Sequence, residues 1–87
     1  MKKGIKLIAD HYGNEHQTVK AMEELAELIQ ALARGDETNI KEEMADVFIM
    51  LEQLKYLHRI SEIEISRIMF RKITRQIERI DNENKAG

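Results

Sequence analysis

Apolar positions along the chain recur three and four residues apart, and three long stretches of this pattern account for most of its length. Val19, Met22, Leu25, Ala26, Ile29, Leu32 and Ala33 mark one helix running to Arg34, with Asn14 as its N-cap, Gln17 completing a capping box and Gly35 as its stop. Ile40, Met44, Val47, Met50, Leu51, Leu54 and Leu57 mark a second, extending to about Arg59. Either Asp36 or Asn39 can cap it, and Asn39 with Glu42 makes the better box. Ser61 and Glu64 give a start signal for a third, whose apolar positions are Ile63, Met69, Phe70, Ile73, Ile77 and Ile80.

Two shorter pieces flank these helices. Residues 2 to 12 suggest a short N-terminal helix or arm anchored by Ile5, Leu7 and Ile8 and closed by Gly13, and residues 81 to 87 suggest a polar, frayed tail. The connector Gly35-Asp36-Glu37-Thr38 is so short that the first two long helices must form a hairpin. The expected fold is therefore all-α: an antiparallel helical bundle of three long helices plus a short N-terminal helix, in a single domain over residues 1–87. No linker, low-complexity segment or sequence repeat divides it.

Composition narrows this picture in several ways. At 87 residues with 43% hydrophobic and 34% charged content, a lone chain buries only about 60 to 65% of its unfolded surface, so oligomerisation is expected to complete the bundle. The absence of proline and the presence of only four glycines suit long regular helices. Interleaved charges summing to −2 give no reason to expect nucleic-acid or membrane binding. With no cysteine, disulfides and thiolate chemistry are excluded and a reducing, cytoplasmic setting is permitted. The basic start Met1-Lys2-Lys3 is followed by an apolar run that Lys6 and Asp10 interrupt, so neither a secretory leader nor a membrane span is expected.

The candidate chemistry lies in acidic residues. Glu24 and Glu27 on the first long helix, and Glu43 and Asp46 on the second, are each three residues apart and so share a face, where like charges repel. On a helical wheel Glu43 and Asp46 fall beside Met50, Leu54 and Leu57 rather than on the solvent face. Ionised carboxylates beside a core seam need a compensating cation. Glu23, Glu24 and Glu27 taken alone read as a solvated face, opposite the arc of Met22, Leu25, Ile29 and Ala33. The second pair on the adjoining helix changes that reading, because a hairpin can gather four carboxylates around one cavity. Four oxygen donors favour Mg2+, with Mn2+ also suitable, over zinc, copper or iron; no Glu-x-x-His pair is present to support a di-iron centre. Magnesium commonly completes its shell with substrate phosphates, and the stripe of Lys72, Arg75 and Arg79 could meet their charge.

These residues carry a resemblance. Met22-Glu23-Glu24-Leu25-Ala26-Glu27-Leu28-Ile29, then Glu42-Glu43-Met44-Ala45-Asp46-Val47, resemble the acidic motifs of the MazG-like all-alpha nucleoside triphosphate pyrophosphohydrolases. The likeness extends back to His11-Tyr12-Gly13 and Gln17 and forward to Lys72-Ile73-Thr74-Arg75-Gln76. It implies cleavage of a nucleoside or deoxynucleoside triphosphate between its alpha and beta phosphates, releasing a monophosphate and pyrophosphate. It also implies that Glu24, Glu27, Glu43 and Asp46 hold magnesium and that Glu23 orients or deprotonates water. Lys72 and Arg75 would grip phosphates, Gln17 and Lys20 would be lesser substrate contacts, and the site would be built from a homodimer or homotetramer.

Two other functions share these features. A phosphoribosyl-ATP pyrophosphohydrolase carries a similar acidic motif, and a noncatalytic helical assembly module would use the carboxylates only for solvation. Tyr12, Phe48, Tyr56 and Phe70 could stack on a base, although aromatic residues at helical spacing more often belong to a core. His16 and His58 are expected to be structural or surface residues. Base and sugar preference are not legible in the sequence.

Overall fold

The computed structural model describes residues 1–86 and is all-helical, with no strand among them. Helix α1 spans Lys2–Arg34, α2 spans Glu37–Leu57 and α3 spans Glu62–Ala86. Residues 2 to 12 are helical, as expected, and are counted with α1, which consists of two helical stretches meeting at a kink. The kink lies at Gly13, whose φ of 84° and ψ of 170° are non-helical. That region of backbone space is nearly closed to residues with a Cβ, so the glycine interrupts the helix and redirects the chain where the two stretches meet. The leading arm is tied to α2 by the Tyr56 hydroxyl, which donates to both carboxylate oxygens of Asp10 at 2.8 and 2.9 Å, with Lys6 Nζ 5.8 Å from the centre of the Tyr56 ring.

Gly35 stops α1 in the left-handed conformation at φ 68°, its N–H bonding back to the carbonyls of Ala31 and Leu32. The stop is so abrupt that α2 begins at Glu37, and its cap is Asp36, not Asn39: the Asp36 side chain accepts from the Asn39 N–H at 3.3 Å. The expected Asn14–Gln17 capping box is not formed: Asn14 Oδ1 accepts from Thr18 Oγ1 instead, and the Gln17 side chain turns inward to Gln53. Ser61 does cap α3, accepting from the Glu64 N–H at 3.1 Å. Helix α2 closes at His58, slightly earlier than the sequence pattern indicates, and α3 continues through the polar 81–86 segment expected to fray.

The hairpin of α1 and α2 is the only packed layer among the described residues, and α3 packs on neither helix. The three-helix bundle is therefore not closed within one chain. The Cα radius of gyration of 16.8 Å exceeds the roughly 12 Å of a compact chain of this length. No residue of α3 is buried, and Phe70, Ile73, Ile77 and Ile80 all lie more than half exposed.

The interface within the hairpin also departs from the wheel. Its buried positions are Ala9, Gln17, Ala21, Glu24 and Ala31 from α1, facing Val47, Met50 and Gln53 from α2. The more apolar arc of α1, including Met22, Leu25 and Ile29, faces outward. Small side chains at Ala21 and Ala31 let the helices approach, and the acidic side of α1 is what α2 covers.

Replacing Gly13 by Ala is expected to cost about 1–3 kcal/mol through backbone strain, although nothing lies within 4 Å of the added Cβ. Replacing Gly4, where φ is ordinary and the space is equally open, is expected to be neutral or stabilising by up to about 1 kcal/mol. Urea unfolding of the two variants measures the contrast, and equal effects would contradict it.

Candidate active site

The hairpin brings carboxylates of both helices together. One oxygen each from Glu24, Glu27 and Glu43 lie within 4.8 Å of one another. Glu24 is buried and Glu43 half-buried, whereas Glu27 is exposed at the edge of the cluster. The register follows from the break at Gly13 and the tight Gly35–Asp36 turn, which fix where α1 lies along α2. Glu24 and Ala21, about one turn earlier on the same face of α1, are both buried.

The electrostatics are unfavourable as they stand. Oε2 of Glu24 and Oε2 of Glu43 are both buried without a hydrogen-bond partner. The Glu43 carboxyl is held above its ordinary range, chiefly by desolvation, then by hydrogen bonding to Glu27 and by the charges of Glu27, Asp46 and Glu24. Lys20 offers partial compensation from one turn earlier on α1, its Nζ 3.3 Å from Glu24 Oε1 and 3.7 Å from Glu23 Oε2. Glu24 in turn pushes the Lys20 ammonium pKa upward, first by hydrogen bonding and then by charge. One exposed lysine does not reach the two orphaned oxygens. Three converging oxygen donors, two with free buried lone pairs, fit a hard divalent cation, and Glu24, Glu27 and Glu43 are the residues able to hold it.

The remaining residues singled out in the sequence are dispersed around this cluster. Asp46 lies outside the three-carboxylate group and is exposed, contrary to its wheel position, because α2 turns its Val47–Met50 face more squarely into the hairpin. It still lines the cavity of about 890 Å³ that opens beside the cluster, as do Glu23, Glu24, Lys20 and Gln17. Glu23 is exposed at that rim, where Lys20 Nζ lies 3.7 Å from its Oε2. Gln17 is buried, donating from Nε2 to Gln53 Oε1 at 2.7 Å and accepting at Oε1 from His16 Nδ1 at 2.7 Å. Lys72 and Arg75 lie exposed on α3, which packs on neither of the two helices bearing the carboxylates.

Of the aromatic residues considered for base stacking, Tyr12 lines the cavity, and His16, expected to be structural or on the surface, lines it too. Gln53 escaped the sequence reading as a site component although a signal existed, since Asp46, Met50 and Gln53 share a face at i, i+4 and i+7. The pairing of Tyr12 with His16 was not legible, because the two lie on opposite sides of the break at Gly13.

A match to the family described as MazG nucleotide pyrophosphohydrolase domain spans residues 13–83 and so includes both acidic pairs, the hairpin turn and most of α3. Neither the curated proteins nor the solved structures compared with the chain match it significantly.

The raised Glu43 pKa has a signed consequence for stability without metal. Folding favours the protonated carboxyl, so the full stability is present below the ordinary value of 4.5, falls as pH rises through the raised one, and stays low at neutrality. Glu43→Gln is expected to melt higher than the parent in chelator, by a margin that widens from acidic to neutral pH. A margin that is constant or negative across that range would contradict the assignment.

Proposed function

Because the chain belongs to the MazG nucleotide pyrophosphohydrolase family, we propose that it is a magnesium-dependent enzyme hydrolysing a nucleoside or deoxynucleoside triphosphate between the alpha and beta phosphates. The products are the nucleoside monophosphate and pyrophosphate. The observation that carries this reading is the convergence of Glu24, Glu27 and Glu43 within 4.8 Å with two buried oxygens left unpartnered, beside an open cavity. Those three hold the metal, with Asp46 as a fourth ligand from the cavity wall. When bound, the ion lowers the pKa of water and offsets charge developing on phosphate oxygens.

The chain's own groups supply the rest. Glu23 accepts a proton from the water whose oxygen bonds to the alpha phosphorus as the bond from that phosphorus to the bridging oxygen breaks, and pyrophosphate leaves with that oxygen. Its exposure at the cavity rim gives it access to solvent water. Lys20 bonds to Glu24 while the carboxylates are uncompensated; once their charge is met, its Nζ is available to a phosphate oxygen of the substrate. Gln17 fixes the wall of the same cavity through Gln53.

Lys72 and Arg75 act on the phosphates bound by a neighbouring protomer, in a homodimer or homotetramer working in the cytoplasm. Two features support supply from another chain: α3 packs on neither α1 nor α2, and it exposes Phe70, Ile73 and Ile77, surface that association would cover. No helix among the described residues is long and apolar enough to cross a membrane.

One assay tests the whole reading. With magnesium and a panel of nucleoside triphosphates, deoxynucleoside triphosphates and phosphoribosyl-ATP, the expected product is pyrophosphate, and orthophosphate alone would refute the reaction. Glu43→Gln and the Lys72→Ala, Arg75→Ala double variant are each expected to lose at least about a hundredfold in turnover, the scale on which removing one preorganised charge-stabilising group acts. Refolded together in equal amounts, they should regain a measurable fraction through mixed oligomers; no recovery would refute supply of the basic residues from a second chain.

A further inference from the structure

The cavity beside the carboxylates has two unlike kinds of lining. Glu23, Glu24 and Asp46 line it, and so do Tyr12 and His16, two or more turns before Glu24 on α1, with Ile8 and Ile49 as apolar lining. The Tyr12 and His16 rings are stacked, 4.8 Å between centroids and 17° from parallel. They come from opposite sides of the Gly13 break, so the bend that redirects α1 also brings the two planes together. Tyr12 is 52% exposed, which leaves ring surface unburied beside the cavity instead of in the core.

We propose that Tyr12 and His16 form the platform on which the nucleobase of the substrate stacks, which rests on the pyrophosphohydrolase reading of the acidic cluster. His16 is eight residues before Glu24 on the same helix, about 12 Å along its axis, a span that a nucleoside phosphate bridges. The platform is pre-set from beneath. Gln17 Oε1 can only accept, so His16 Nδ1 carries the proton that meets it, and the Gln17 amide is itself held by Gln53, which is 1% exposed. A ring held by a buried hydrogen-bond chain loses little freedom when a base settles against the pair. Stacking of this kind is tolerant of base identity, since every base offers a π-face.

Calorimetry in magnesium with two ligands tests this: a deoxynucleoside triphosphate with a non-hydrolysable methylene between its alpha and beta phosphorus atoms, and inorganic tripolyphosphate, which has no base. The parent protein is expected to bind the nucleotide more tightly than tripolyphosphate. Tyr12→Ala and His16→Ala should each weaken nucleotide binding roughly tenfold or more while leaving tripolyphosphate affinity unchanged, and Tyr12→Phe should retain the parent's preference. Circular dichroism confirms that each variant keeps its helices. If Tyr12→Ala leaves the ratio of the two affinities as it was, or if the parent does not prefer the nucleotide, the stacked pair is a helix-local contact and the platform is refuted. Failure of the parent to bind either ligand would instead bring down the underlying reading, and the platform with it.

Discussion

The structure depends on a repulsion left unresolved. Two helices that pack through alanines, a valine and a methionine also press Glu24 and Glu43 into their seam, where each has a buried oxygen with no hydrogen-bond partner. An apolar hairpin of the same shape would be easier to fold, since a buried carboxylate without a partner costs more than the hydrogen bonds it forgoes. The raised proton affinity of Glu43 expresses that cost, and a divalent cation held by these carboxylates would relieve it. Stability and chemistry therefore compete at the same atoms.

The rest of the chain serves this arrangement. Gly35 and Asp36 turn the chain tightly enough to set Glu24 and Glu27 opposite Glu43. Gln17 and Gln53 continue the polar seam away from the carboxylates, satisfying one another where water is excluded. At the far end Asp10 and Tyr56 clamp the leading arm onto α2, and Gly13 supplies the bend that lets the arm reach it. The outward faces of α1 and α3 keep their apolar residues exposed, so one chain holds the carboxylates but leaves much of its apolar surface uncovered.

Much of this was legible in the sequence, for identifiable reasons. Helical periodicity with glycine and serine punctuation located the long helices, and the i, i+3 acidic pairs on consecutive helices located the cluster. The wheel misjudged which face of α1 meets α2, because it assumes that the most apolar arc packs within the chain, whereas here Met22, Leu25 and Ile29 face outward. Asp46 was misplaced by the same assumption applied to α2. The interruption at Gly13 was legible as a glycine that closes the N-terminal helix; that the next stretch resumes at once across a kink was not. Nor could one chain's sequence indicate that α3 would stand apart from the hairpin that carries the acidic residues.

The central claim is that the seam between α1 and α2 is a metal site that destabilises the chain until it is filled. Thermal melting against magnesium concentration tests it most directly, with calcium-free buffer and an equal ionic strength of sodium chloride as the reference. The account predicts a melting temperature that climbs with magnesium and continues to climb logarithmically beyond half-saturation, and a response that disappears in Glu24→Gln. A parent protein whose melting is indifferent to magnesium, or a Glu24→Gln variant that responds as the parent does, would contradict it.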